Sequence, residues 1–77
     1  MPPTTPYVLI AVSNTTRAAI FRDAAAECLR LDVAVVRDGD AAMDTITSRG
    51  VPALLIVDLS LPRVDGFTVV RRLRRLA

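Results

Sequence analysis

Three short apolar runs at nearly even spacing set the limits on how this chain folds. They are Tyr7–Val12 (YVLIAV), Asp32–Val36 (DVAVV) and Ala53–Val57 (ALLIV). Each is too short for a buried helix and rich in Val, Ile or Leu, with no polar alternation, as in strands covered on both faces of a parallel sheet. Between and after them lie stretches of helical character. Residues 16–31 (TRAAIFRDAAAECLRL) carry several alanines, which favour helix, and place Ile20, Phe21, Ala24, Cys28 and Leu31 on one expected apolar stripe. Residues 41–49 (AAMDTITSR) predict a short helix with Ala42, Met43 and Ile46 facing in, Asp40 as N-cap and Gly50 just past its end. Residues 66–76 predict a last helix, capped by Asp65, whose apolar side is Val69, Val70, Leu73 and Leu76. The order β-α-β-α-β-α implies an α/β fold, a parallel sheet flanked by helices and joined by right-handed crossovers.

The remaining features narrow the class. At 77 residues, 52% hydrophobic and 23% charged, the chain has the composition of one small globular domain. Met1–Pro6 holds three prolines and is expected to be a flexible lead-in to a domain spanning 7–77. There is no histidine and one cysteine, which excludes a Cys/His zinc site, a histidine base and an intramolecular disulfide. Cys28, on the expected stripe, reads as a small core residue. No apolar run is long enough to cross a bilayer and the start lacks a signal-peptide pattern, so a cytoplasmic protein is expected.

In open parallel sheets, functional groups gather at the carboxyl ends of the strands. Those ends carry Ser13-Asn14, Asp38 and Asp58. Asp58 alone could simply cap a turn. It is followed, however, by Pro62 at four residues and by Asp65-Gly66 at seven and eight, and Asp38-Gly39 follows the second strand. This pattern, with the element order, resembles the receiver domain of bacterial response regulators across residues 7–76, and the resemblance implies a flavodoxin-like sheet. It also implies that Asp58 stands where the phosphoacceptor does, the nucleophile that takes a phosphoryl group from a histidine kinase. In that family a magnesium ion neutralises the phosphoryl oxygens. Its ligands would be Asp58, the backbone carbonyl of Ser60 and an acidic residue after the first strand.

The sequence departs from the family there. The acidic pair falls at Val12 and Ser13, Asn14 is neutral too, and no Asp or Glu precedes Arg22. The Ser13-Asn14 region is thus a degenerate acidic-pair site, and Asp58 is left as the one anionic magnesium ligand, with weak affinity expected. A complete receiver has five strands and five helices, whereas this chain carries three of each. The family's hydroxyl residue and lysine lie in the part it lacks, and all ten basic residues here are Arg. The leading expectation is therefore a pseudo-receiver: a non-enzymatic two-component signalling module that acts by protein–protein interaction. One alternative is a true phosphoacceptor, as a fragment of a longer regulator, phosphorylated on Asp58. Without further strands the third strand would be an apolar edge, which predicts a homo-oligomer joined through that edge or by exchange of the last helix. Residues 63–77 carry net charge +4 against −2 for residues 1–62. The RRLRR of 71–75 raises a third reading, weak nucleic-acid binding, which lacks a helix-turn-helix pattern or an aromatic platform to support it.

Overall fold

The first apolar run, with no charged residue to show to water, takes the fully covered middle position of the sheet. In the structure, a computed structural model describing residues 5–76, strand β1 (Tyr7–Ala11) lies between β2 (Asp32–Val36) and β3 (Leu54–Val57), all parallel. Tyr7 pairs with Asp32 and Ala11 with Val36 on one side; Val8 pairs with Leu54 and Ala11 with Val57 on the other. Every β1 residue is fully buried. Helices α1 (Thr15–Leu29), α2 (Gly39–Arg49) and α3 (Gly66–Leu76) alternate with the strands. This is the expected α/β architecture, a parallel sheet of flavodoxin-like type.

Period-two alternation along β1 divides the core. Tyr7, Leu9 and Ala11 pack with Ala42 and Ile46 of α2, Leu61, and Val69 of α3. Val8, Ile10 and Val12 pack on the opposite side with Ala18 and Ala25 of α1. Burying each large aliphatic side chain of these clusters contributes about 1.5–3 kcal/mol before chain entropy is counted. Tyr7 is, among the described residues, the one wholly buried side chain with a polar atom, and its hydroxyl donates to the Gly50 carbonyl at 2.6 Å.

Several local expectations change. Helix α1 meets the sheet through Ala18 and Ala25, not through the Ile20–Leu31 stripe. Ile20 is 61% exposed, Phe21 is only partly covered, and Ala24 and Cys28 are exposed; of that stripe only Leu31, beyond the helix, packs on the core. The reason is lateral. Helix α1 covers β1 and β2, so its other flank borders the uncovered face of β3. Cys28 is accordingly a surface residue and not a core one. Helix α1 also ends at Leu29, because Arg30 turns left-handed with φ 54°.

Helix α2 starts earlier than predicted. Asp38, not Asp40, is its N-cap, with its carboxylate accepting from the Ala41 N–H at 2.7 Å. Asp40 instead points outward and pairs with Arg63 at 3.0 Å. The predicted cap Asp65 does cap α3, accepting from the Thr68 N–H at 2.8 Å, and Asn14 caps α1 in the same way, accepting from the Arg17 N–H at 2.9 Å. The flexible lead-in expected at residues 1–6 lies mostly outside the described residues, which begin at Thr5. Among the described residues, no helix is long and apolar enough to cross a membrane.

Candidate functional site

The carboxyl ends of β1 and β3 are brought side by side by the ladder itself. The Asp58 N–H donates to the Ala11 carbonyl at 2.9 Å, one step beyond the last paired residue of β3. Asp58 therefore sits at the rim of the sheet, half-buried, beside the turn Val12–Asn14. One carboxylate oxygen accepts two bonds from Ser60, from its N–H at 3.1 Å and its hydroxyl at 2.9 Å. These bonds favour the charged form and hold the Asp58 pKa below its usual value, the backbone donor first and the hydroxyl second. Partial burial opposes this shift, and the Arg17 guanidinium adds to it.

The loop after Asp58 is fixed by two close backbone approaches. A Cβ on Gly66 would lie 2.5 Å from the Asp58 carbonyl oxygen and 2.7 Å from the Leu59 Cα. A Cβ on Gly39 would overlap the Val64 carbonyl. Both positions therefore need glycine for space. The Gly66 N–H donates to the Leu59 carbonyl and the Gly39 N–H to the Pro62 carbonyl, each at 3.2 Å. Leu61 reaches down into the core and is 5% exposed. The spacing of Asp58, Pro62 and Gly66 is thus that of a loop pinned to the starts of α2 and α3, with its aspartate held at the sheet rim.

An open cleft of about 330 Å³ leads away from Asp58 between α1 and β3. Val12, Phe21, Ile56, Val57 and Leu59 give it apolar walls, and Arg17 and Asp58 supply its charge. Arg17 was not among the expected site residues. It lies in the first turn of α1, four residues before Phe21, and helical side chains lean back toward the N-terminus, which here means toward the strand ends. That lean is the one sequence cue that could have pointed to it.

The other expected site residues are less engaged. Ser13 is exposed and uncharged. The Asn14 side-chain oxygen is used in capping α1. Val12 presents only hydrocarbon, and Asp38 is committed to the α2 cap. These donors do not fit magnesium, which is held chiefly by anionic oxygens. Asp58 is the single anion, one of its oxygens already takes two bonds from Ser60, and a guanidinium shares its cleft. Among the described residues, no three of Asp, Glu, Cys or His come together as a metal-binding group.

No family model matches the chain, and no curated protein matches it.

Proposed function

We propose that the chain is a pseudo-receiver: a cytoplasmic signalling module that binds a protein partner through a receiver-like scaffold and catalyses nothing itself. The observation that carries this reading is the company Asp58 keeps. Its loop is pinned in place by Gly39 and Gly66, as a phosphoacceptor loop would need, yet its neighbours are Val12, Ser13 and Arg17. A receiver site without anionic ligands keeps its shape and loses its cation. The partner on this reading is another signalling protein, such as a histidine kinase. The test is a magnesium titration followed by amide NMR. No saturable shift at Asp58, Leu59 or Ser60 up to millimolar cation is expected, and a saturable response there would overturn the reading.

One observation favours the second reading, a true phosphoacceptor. Asp58 stands at the end of β3 on a loop held by the close approaches at Gly39 and Gly66, and its carboxylate is the form that could act as nucleophile. Self-association is the further element of the proposal. Among the described residues β3 pairs only with β1, and its outer edge is uncharged, with Leu54 42% exposed. Such an edge offers unpaired N–H and C=O groups to another strand. A second copy, joined edge to edge or by exchange of α3, would satisfy them. Light scattering after size exclusion at micromolar concentration should give a dimer or larger species, and a monomer would contradict it.

A further inference from the structure

Helix α3 turns one side to the core and the other to solvent. Val69 is buried and Val70 and Leu73 are half-buried, so most of the apolar side is committed to the core and α2, while Leu76 at its end is 58% exposed. The outer side carries Arg71, Arg72, Arg74 and Arg75, all exposed. Among the described residues none of the four is in an ion pair, although Arg22, Arg49 and Arg63 each have one. Arg71 and Arg75 are four apart, and Arg71–Arg74 and Arg72–Arg75 are three apart, so like charges face each other along the helix. The helix dipole offsets this for Arg74 and Arg75 in the last turn but not for Arg71 and Arg72. Phe67 stands in the same row as Arg71 and Arg74, and it is 62% exposed. An exposed aromatic flanked by guanidinia has the composition of an interface anchor.

We infer that the outer face of α3 is a docking surface for an acidic protein segment, one with carboxylates at helical spacing and an apolar residue to cover Phe67. The inference rests on the reading of the chain as an interaction module and names its partner class. Three features favour a protein over the other polyanions. The basic face is one helix of 11 residues, about 16 Å long, too short to follow a nucleic-acid backbone for a helical turn. Helix α2, packed beside α3, exposes Asp44, and residues 1–62 are net −2, so a long polyphosphate running off α3 meets like charge that a short acidic segment does not reach. A lipid surface would need a broad apolar face to insert, whereas α3 exposes only Phe67 and Leu76, near its two ends, with Val69 and Leu73 taken up by the core. Carboxylates of an acidic helix match forked guanidinia pairwise, and one apolar side chain covers Phe67.

The test is a fluorescence anisotropy titration of the full chain at low and moderate salt. The probes are a labelled amphipathic Glu/Leu peptide, an all-Glu peptide of equal charge and a single-stranded oligonucleotide of equal charge. Saturable micromolar binding of the amphipathic peptide, weakened about tenfold or more by Phe67→Ser and by Arg71→Gln with Arg74→Gln, is the expected result. Both variants alter exposed side chains, and far-UV circular dichroism checks that they stay folded. Arg71→Lys with Arg74→Lys should keep the salt dependence while losing part of the affinity, because Lys lacks the fork. Asp58→Asn should leave peptide binding unchanged, which separates this surface from the Asp58 site and from any failure of the pseudo-receiver reading. Oligonucleotide binding as tight as the peptide's would overturn the inference. So would no effect of Phe67→Ser, a loss of binding in Asp58→Asn, or no saturable peptide binding.

Discussion

Replacing Gly66 with alanine sets two effects of opposite sign against each other. Helix propensity alone favours alanine over glycine by up to about 1 kcal/mol, so a freely exposed first turn would be stabilised. The added Cβ would, however, stand 2.5 Å from the Asp58 carbonyl oxygen, 2.7 Å from the Leu59 Cα and 3.0 Å from the Asp58 carbonyl carbon, where ordinary contact begins near 3.4 Å. All three neighbours are backbone, so relief requires the turn itself to move by roughly an ångström. Overpacking of this kind costs about 1–3 kcal/mol, and the 3.2 Å bond from Gly66 N–H to Leu59 is put at risk as well. Sterics should win, with Gly66→Ala less stable by about 1–2 kcal/mol after the propensity gain is subtracted. Urea unfolding followed by circular dichroism should then show a midpoint lower by about 1–2 M, taking a slope near 1 kcal/mol/M for a chain this small. Amide shifts of Asp58 to Ser60 should move in the same variant. An unchanged or raised midpoint would refute the claim that this glycine holds the Asp58 loop by close approach.

Three further outcomes follow from the same geometry. Asp38→Ala removes the cap on the Ala41 N–H and should cost about 1 kcal/mol in urea unfolding, whereas Asp40→Ala, two residues on and paired only with exposed Arg63, should leave stability near that of the parent; equal effects would mean the cap is misassigned. Tyr7 is the single tyrosine, and burial pushes its pKa above the usual 10.0 even though Arg49 lies 4.2 Å over its ring and pulls it down. Its raised folded value means that the associated stability is present below the unfolded pKa and lost as pH rises through the folded one, so an ultraviolet titration should find phenolate forming later than in free tyrosine; formation at or below 10 would contradict it. Ser60→Ala removes one of the two donors that depress Asp58, so the carboxyl titration read by ¹³C NMR should move part-way back toward the usual 3.8. Since a depressed folded pKa gives stability above that value and loses it on acidification, acid unfolding of the variant should begin at slightly higher pH, and an unmoved titration would show that the hydroxyl bond is idle.

The strands were legible because each is an uninterrupted apolar run bounded by turn residues, and their order followed from the alternation with helices. Apolarity alone did not fix which strand lies central, since ALLIV is as free of polar residues as YVLIAV and lies at an edge. The loop from Asp58 to Gly66 was legible as spacing, and the structure adds why that spacing is needed: two backbone crossings with room for no Cβ. What could not be read was rotation about a helix axis. In α1, alanine-rich on every side, Ile20, Phe21 and Cys28 form as good a stripe as Ala18 and Ala25, and the choice depends on where the three-stranded sheet ends. The same limit hid Arg17, whose place in the cleft follows from that rotation. The Asp38–Asp40 choice turned on a two-residue shift of the helix start, since either aspartate can cap and the Gly39–Pro62 contact favours Asp38.

The proposal for Asp58 stands most exposed to a phosphorylation experiment. The full chain incubated with acetyl phosphate and magnesium, then read by intact mass, should show no phosphoryl adduct, because the carboxylate has the nucleophilic form but no anionic neighbours to bring in the cation. A stoichiometric adduct that requires magnesium and disappears in Asp58→Asn would contradict the pseudo-receiver reading and make the chain a working phosphoacceptor.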